Sequence, residues 1–111
     1  MLNISFLNEL EALRRDFHAH PELAFKEVRT AAIVADQLSR YGVSIDRGLA
    51  GTGVIGWLRW GSGGRAIGLR ADMDALPLFE KNECAHRSQN AGVMHACGHD
   101  GHTAMLLGAA R

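Results

Sequence analysis

Hydrophobic side chains recur at helical spacing in the N-terminal part of the chain. Four of them are three or four residues apart: Phe6, Leu10, Leu13 and Phe17. This spacing places them on one face of an α-helix, and Ser5 stands where an N-cap belongs. Because proline cannot continue a helix, Pro21 predicts an end near His20.

A second helix is indicated by another set of apolar residues at the same spacing. The set is Val28, Ala31, Ala32, Ala35 and Leu38. Gly42 follows closely and supplies the left-handed residue that commonly ends a helix. Both helices are therefore expected to bury one face.

The pattern changes to strand-like alternation after Gly42. Val43 and Ile45 alternate with polar neighbours, which predicts a short strand. Two apolar runs, 54–60 and 66–71, are joined by a glycine-rich turn at 61–64. This arrangement predicts an antiparallel hairpin between the two runs.

The last part of the chain combines an irregular segment with an apolar helix. Residues 75–96 contain proline, asparagine and glycine, whereas Thr103–Ala110 is typical of the start of a buried helix. The order of elements predicts an α/β or α+β fold around a central sheet. Since Arg111 ends the chain within the last helix, we expect an N-terminal fragment of a longer protein.

Composition excludes several classes of protein. The 111 residues carry 12 Lys and Arg against 12 Asp and Glu, with 47% hydrophobic residues. One domain is expected, and the absence of a basic cluster argues against nucleic acid or an anionic membrane as partner. The longest apolar stretch is too short to span a membrane, and no signal peptide is visible. Two cysteines are too few for a disulfide scaffold, so a cytoplasmic protein is expected.

Candidate metal ligands are concentrated in three short segments. They are His18 and His20, then Asp72 and Asp74, and finally His95, Cys97, His99, Asp100 and His102. Thiolate and neutral imidazole suit zinc, manganese, cobalt or nickel rather than calcium or magnesium. Asp72 and Asp74 are two residues apart after an extended run, so both carboxylates are expected on one face.

Each of these residues also has a simpler interpretation. Asp100 is equally suited to capping a helix that begins after it. By themselves, His18 and His20 would be solvated or capping residues at a helix end. Cys97 beside several histidines is also compatible with a thiol hydrolase, or with a non-catalytic metal-binding module. Cys84 and His86 are assigned no role, His86 being expected at the surface.

Three motifs together resemble a known family. They are HAHPEL at 18–23, LRADMDALP at 69–77 and HACGHDGHTAM at 95–105. In this order they resemble the metal-dependent N-acyl-amino-acid amidohydrolases, which include hippurate hydrolase and the indoleacetyl-amino-acid hydrolases and are related to aminoacylase and carboxypeptidase G. The resemblance implies a zinc-peptidase-like α/β catalytic domain with a central mixed sheet flanked by helices. Residues 1–111 would be its N-terminal portion, without the smaller lid domain.

The resemblance also implies roles for individual residues. Cys97 and His99 match metal ligands, and Cys97 would be shared between two ions. Asp74 matches a catalytic-site aspartate that orients a ligand, whereas Asp72 stands where many relatives carry a histidine. Apart from the resemblance, the clustering of metal-binding residue types makes Asp72, Asp100 and His102 candidates to support the ligands or to add to them.

The implied reaction is hydrolysis of the amide bond of N-acyl or N-aroyl amino acids. Two divalent ions, of manganese, zinc, cobalt or nickel, would polarise the acyl carbonyl of a small-molecule substrate. The general base and the remaining ligands are expected beyond residue 111. The chain alone is therefore predicted not to hydrolyse hippurate, and self-association is left open for the full-length enzyme.

Overall fold

The computed structural model describes residues 3–111. Its elements in chain order are α1 (Ile4–Ala19), α2 (Val28–Arg40), β1 (Ser44–Leu49), β2 (Gly53–Trp57) and α3 (His99–Ala110). Three helices thus accompany a two-stranded sheet, and the predicted α/β class is confirmed.

Helix α1 forms where the apolar spacing predicted it, but its N-cap differs from the prediction. The Asn3 side chain accepts a hydrogen bond from the Phe6 amide at 2.8 Å, so the predicted cap at Ser5 is wrong. Asn3 is the residue whose side chain reaches a free amide of the first turn, whereas Ser5 already lies inside the helix. The predicted end is confirmed, with His20 as the C-cap before Pro21.

Helix α2 is confirmed together with its predicted end. Tyr41 is the C-cap, and Gly42 follows with φ of 78°, a conformation that glycine adopts without strain. One face of the helix is buried, and it includes Ala31, Val34 and Leu38.

The predicted hairpin between residues 54–60 and 66–71 is wrong. Instead β1 pairs with β2 in antiparallel register, and Asp46 lies opposite Ile55. The turn between these strands lies in the glycine-rich segment 48–53, where Ala50 and Gly51 have positive φ of 53° and 93°. Left-handed residues at these positions reverse the chain within a few residues. β2 therefore pairs with the strand before it, β1, and not with the segment after it. Residues 58–74 form no regular strand.

Helix α3 begins at His99 rather than at Thr103. Its N-cap is Gly98, with φ of 81°, and no side chain caps the helix. The capping interpretation of Asp100 is therefore wrong, because its carboxylate is used elsewhere. Gly108 lets α3 approach α1 closely, since a Cβ there would lie 2.7 Å from Leu10 Cδ1.

The core lies where the helices meet the hairpin. Its buried members are Phe17, Val34, Leu38, Val43 and Leu107. Within residues 3–111, no helix combines the length and the hydropathy needed to cross a bilayer. Three large apolar side chains at the end of β2 and just after it are exposed: Trp57, Leu58 and Trp60.

Candidate metal centre

Asp72, Asp74 and His99 converge at the start of α3. One ligand atom from each can be chosen so that all three lie within 4.8 Å of one another. The two aspartates come from an extended segment that is held in place on both sides. Thr103 Oγ1 donates to the Asp72 carbonyl at 3.1 Å, and the Ala75 amide donates to the backbone of the loop after α1.

Asp74 fixes the orientation of the His99 ring. His99 Nδ1 lies 2.9 Å from the Asp74 carbonyl oxygen and 3.0 Å from its carboxylate Oδ1. Because both partners only accept hydrogen bonds, Nδ1 carries the proton and Nε2 keeps its lone pair. An imidazole held in this way by a carboxylate is the usual arrangement of a metal-ligating histidine.

The chemistry of these donors fits a divalent metal ion. Two carboxylates and one imidazole are the mixed oxygen and nitrogen set that zinc or manganese accepts. All three side chains are partly accessible, and their side-chain exposures are 42%, 28% and 17% for Asp72, Asp74 and His99. The group is therefore open on one side, which leaves room for further ligands.

Two of the residues predicted from the sequence lie beside this group rather than in it. Cys97 is exposed with a free thiol, in the turn that precedes α3. His102 is exposed, and its ring centroid is 5.9 Å from that of His99. The ligand roles of Cys97 and His102 remain predictions.

Asp100 belongs to a buried charged network instead. Its carboxylate Oδ2 lies 2.8 Å from His18 Nδ1 and 3.2 Å from Arg14 Nε. The other ring nitrogen of His18 contacts both carboxylate oxygens of Glu80, at 3.0 and 3.1 Å. The interpretation of His18 as a solvated residue is wrong, because its side chain is only 7% exposed. His20, by contrast, does cap the end of α1, with Nδ1 2.9 Å from the Asp16 carbonyl.

Glu80 is held in its charged form. Burial opposes ionisation, but hydrogen bonds from His18, the Ser88 amide and Asn82 outweigh it and lower the pKa of Glu80 from 4.5 to about 2. Each of these donors stabilises the carboxylate. Glu80 lies three residues after the LRADMDALP motif, in an irregular segment, and no residue pattern predicts its role.

His95 is buried between the network and the metal group. Its residue exposure is 4%, and neither ring nitrogen has a hydrogen-bond partner among residues 3–111. Burial is the main reason that the pKa of His95 lies below its ordinary 6.5, although the nearby charge of Asp100 opposes the shift. His95 therefore stands as a neutral imidazole.

His86 also differs from the prediction that it lies at the surface. It is partly buried, and its ring meets that of His18 edge-on at 5.5 Å. Its Nε2 lies 3.3 Å from Arg14 Nη1, so it borders the network. Contacts between residues this far apart in the chain leave no periodic signal in the sequence.

Comparison with known proteins agrees with the resemblance carried by the motifs. Residues 68–111 match the family model of peptidase family M20/M25/M40. The chain is 48% identical over 103 residues to a hippurate hydrolase of Campylobacter jejuni, covering 93% of this chain and 27% of that protein. It is 52% identical over 101 residues to an N-acyl-L-amino acid amidohydrolase of Geobacillus stearothermophilus, covering 90% and 27%.

A solved structure shares the fold. The YXEP protein of Bacillus subtilis, described as a dinuclear metal binding peptidase from the M20 family, matches with a TM-score of 0.90 and 40% identity. The match covers 96% of this chain and 30% of that one. The chain thus spans about a quarter of the length of the curated relatives it matches. The predicted resemblance to the metal-dependent N-acyl-amino-acid amidohydrolases is confirmed.

Proposed function

We propose that this chain, whose residues 68–111 match the model of peptidase family M20/M25/M40, forms a metal-binding part of a hydrolase that cleaves amide bonds of N-acyl or N-aroyl amino acids. The observation that carries the proposal is the convergence of Asp72, Asp74 and His99 within 4.8 Å. The relatives named for hippurate and N-acyl-L-amino acid hydrolysis support the substrate class.

Two divalent metal ions are proposed as cofactors, with manganese, zinc, cobalt and nickel as candidates. A divalent ion supplies Lewis acidity toward an amide carbonyl and a water nucleophile. His99 would offer Nε2, because its Nδ1 proton is committed to Asp74. Cys97 would offer its thiolate from the adjacent turn, where its exposure leaves it accessible.

The other residues of the group have supporting roles in this proposal. Asp74 orients the His99 ring through two hydrogen bonds, and it would keep the imidazole neutral at Nε2. Asp72 offers a carboxylate on the open side of the group, where its exposure suits contact with an ion or with substrate. Asp100, the neighbour of His99 in the chain, would support the first turn of α3 through its contacts with His18 and Arg14. A cytoplasmic location and self-association remain predictions from the sequence.

The activity is proposed for a protein of the relatives' length that contains this chain. The test is release of free amino acid from N-benzoylglycine and other N-acyl amino acids after loading with each candidate metal. We expect release that a chelator abolishes and that His99→Ala lowers by at least about a hundredfold, whereas His20→Ala retains it. Release that survives both the chelator and His99→Ala would contradict the proposal. Loss of release in Cys97→Ser with unchanged metal content would favour a thiol hydrolase instead.

A further inference from the structure

We infer that His18 is a positioning residue for the candidate metal centre, because it anchors the first turn of α3 and thereby His99. The inference rests on the proposed function in one respect, namely that His99 is taken as a metal ligand. It adds a residue in the last turn of α1, outside the group formed by Asp72, Asp74 and His99. The chain of contacts is His18 to Asp100, and Asp100 to its neighbour His99.

His18 is held between two carboxylates in the interior. Its Nδ1 lies 2.8 Å from Asp100 and its Nε2 lies 3.0 Å from Glu80. The three side chains are 7%, 3% and 2% exposed for His18, Asp100 and Glu80. Each ring nitrogen of His18 therefore lies within hydrogen-bond distance of a carboxylate. Charge-assisted hydrogen bonds of this kind are the stronger and more directional ones.

These bonds join three segments of the chain. His18 belongs to the last turn of α1, and Asp100 to the first turn of α3. Glu80 belongs to the long irregular segment between them, which it secures by accepting from the Ser88 amide at 2.7 Å and from Asn82 at 3.1 Å. His18 is the point at which all three segments meet.

The first turn of α3 depends on such an external anchor. The first amides of a helix have no partner within it, and α3 has no side-chain cap. Asp100 is the acidic residue of that turn, and its carboxylate is bound by His18 and Arg14 instead. Loss of the His18 bond would free the turn that presents His99 to Asp74.

The test reads His99 directly and without metal. Nitrogen-15 NMR of the histidine rings separates the Nδ1–H form from the Nε2–H form in the metal-free chain at pH 7. We expect His99 to show a single Nδ1–H form in the original chain and to lose it, becoming a mixture of both forms, in His18→Gln. Leu38→Ala is the matched control, since it opens a cavity in the core away from the turn and should leave the His99 signal unchanged.

Arg14→Met provides a second variant with little risk to folding, because Arg14 is 39% exposed and the pair of His18 and Glu80 stays intact. Arg14→Met removes the second contact of the Asp100 carboxylate. We therefore expect the single Nδ1–H form of His99 to be lost to a smaller extent than in His18→Gln. If His18→Gln folds and keeps the His99 signal, the inference is overturned. If it does not fold, an unchanged His99 signal in Asp100→Asn, which weakens the bond between His18 and this position, overturns it.

Cobalt affinity, measured on the same samples, separates this inference from the proposed function. Altering a group that supports a metal ligand commonly weakens affinity about 10- to 100-fold, and we expect His18→Gln to fall in that range while Leu38→Ala does not. An original chain that binds no cobalt would contradict the proposed function alone. The His99 signal would then still decide the positioning role of His18.

Discussion

Replacing Glu80 with glutamine removes a buried charge whose contribution to folding can be worked out from its pKa. The carboxyl has an ordinary pKa of 4.5, and in the folded chain it is lowered to about 2. The difference corresponds to about 3 kcal/mol of folding free energy, as an upper bound. The physical source is the set of hydrogen bonds from His18, Ser88 and Asn82, which only the ionised carboxyl accepts in full.

The sign of the pH dependence follows from the direction of this shift. A carboxyl with a lowered pKa in the folded state stabilises the fold above its unfolded pKa, and the contribution disappears as the pH falls from 4.5 to about 2. We therefore expect Glu80→Gln to lower the free energy of unfolding by about 2 to 3 kcal/mol at pH 7. The difference between the two proteins should shrink toward zero by about pH 2.

The assay is urea unfolding followed by circular dichroism at a series of pH values. Glu83→Gln is the matched control, because Glu83 is exposed in the same segment and its replacement should change stability by less than about 0.5 kcal/mol. The reasoning would be refuted if the difference between Glu80→Gln and the original chain stayed constant from pH 7 to pH 2. Equal stability of the two proteins at pH 7 would refute it as well.

Two further substitutions test the packing that places the site. Phe17 is fully buried, so Phe17→Ala should lower the free energy of unfolding by about 3 to 5 kcal/mol in urea titrations. Leu7 lies on the exposed side of α1, so Leu7→Ala should lower the same free energy by less than about 0.5 kcal/mol. A Cβ at Gly56 would lie 2.9 Å from Val43 Cγ1, so Gly56→Ala should destabilise the chain by about 1 to 3 kcal/mol. Nothing lies within 4 Å of a Cβ at Gly63, so Gly63→Ala should leave the urea midpoint nearly unchanged. A loss of stability in Gly63→Ala equal to that in Gly56→Ala would contradict this account of packing.

The helices could be predicted from the sequence because their signals are local. The spacing of apolar residues located α1 and α2, and Pro21 and Gly42 marked where they end. The hairpin was misplaced because two glycine-rich segments compete for the same strand. Only the backbone conformation at Ala50 and Gly51 shows which of them turns the chain.

The candidate site could be predicted in part. Asp72, Asp74 and His99 were identified because metal-binding residue types stand at short spacing in the chain. His18 stands among the candidate ligands by residue type, but its buried pairing with Glu80 could not be predicted in this way. They are far apart in sequence, and their role depends on which segments the fold brings together.

Cobalt titration of this chain, followed by absorption, tests most directly whether Asp72, Asp74 and His99 form part of a metal centre. We predict saturable binding that weakens at least about tenfold in His99→Ala and is unchanged in His20→Ala. A sulfur-to-cobalt absorption band that disappears in Cys97→Ser would place the Cys97 thiolate on the ion. Absence of saturable binding, or equal affinity in His99→Ala and the original chain, would contradict the account.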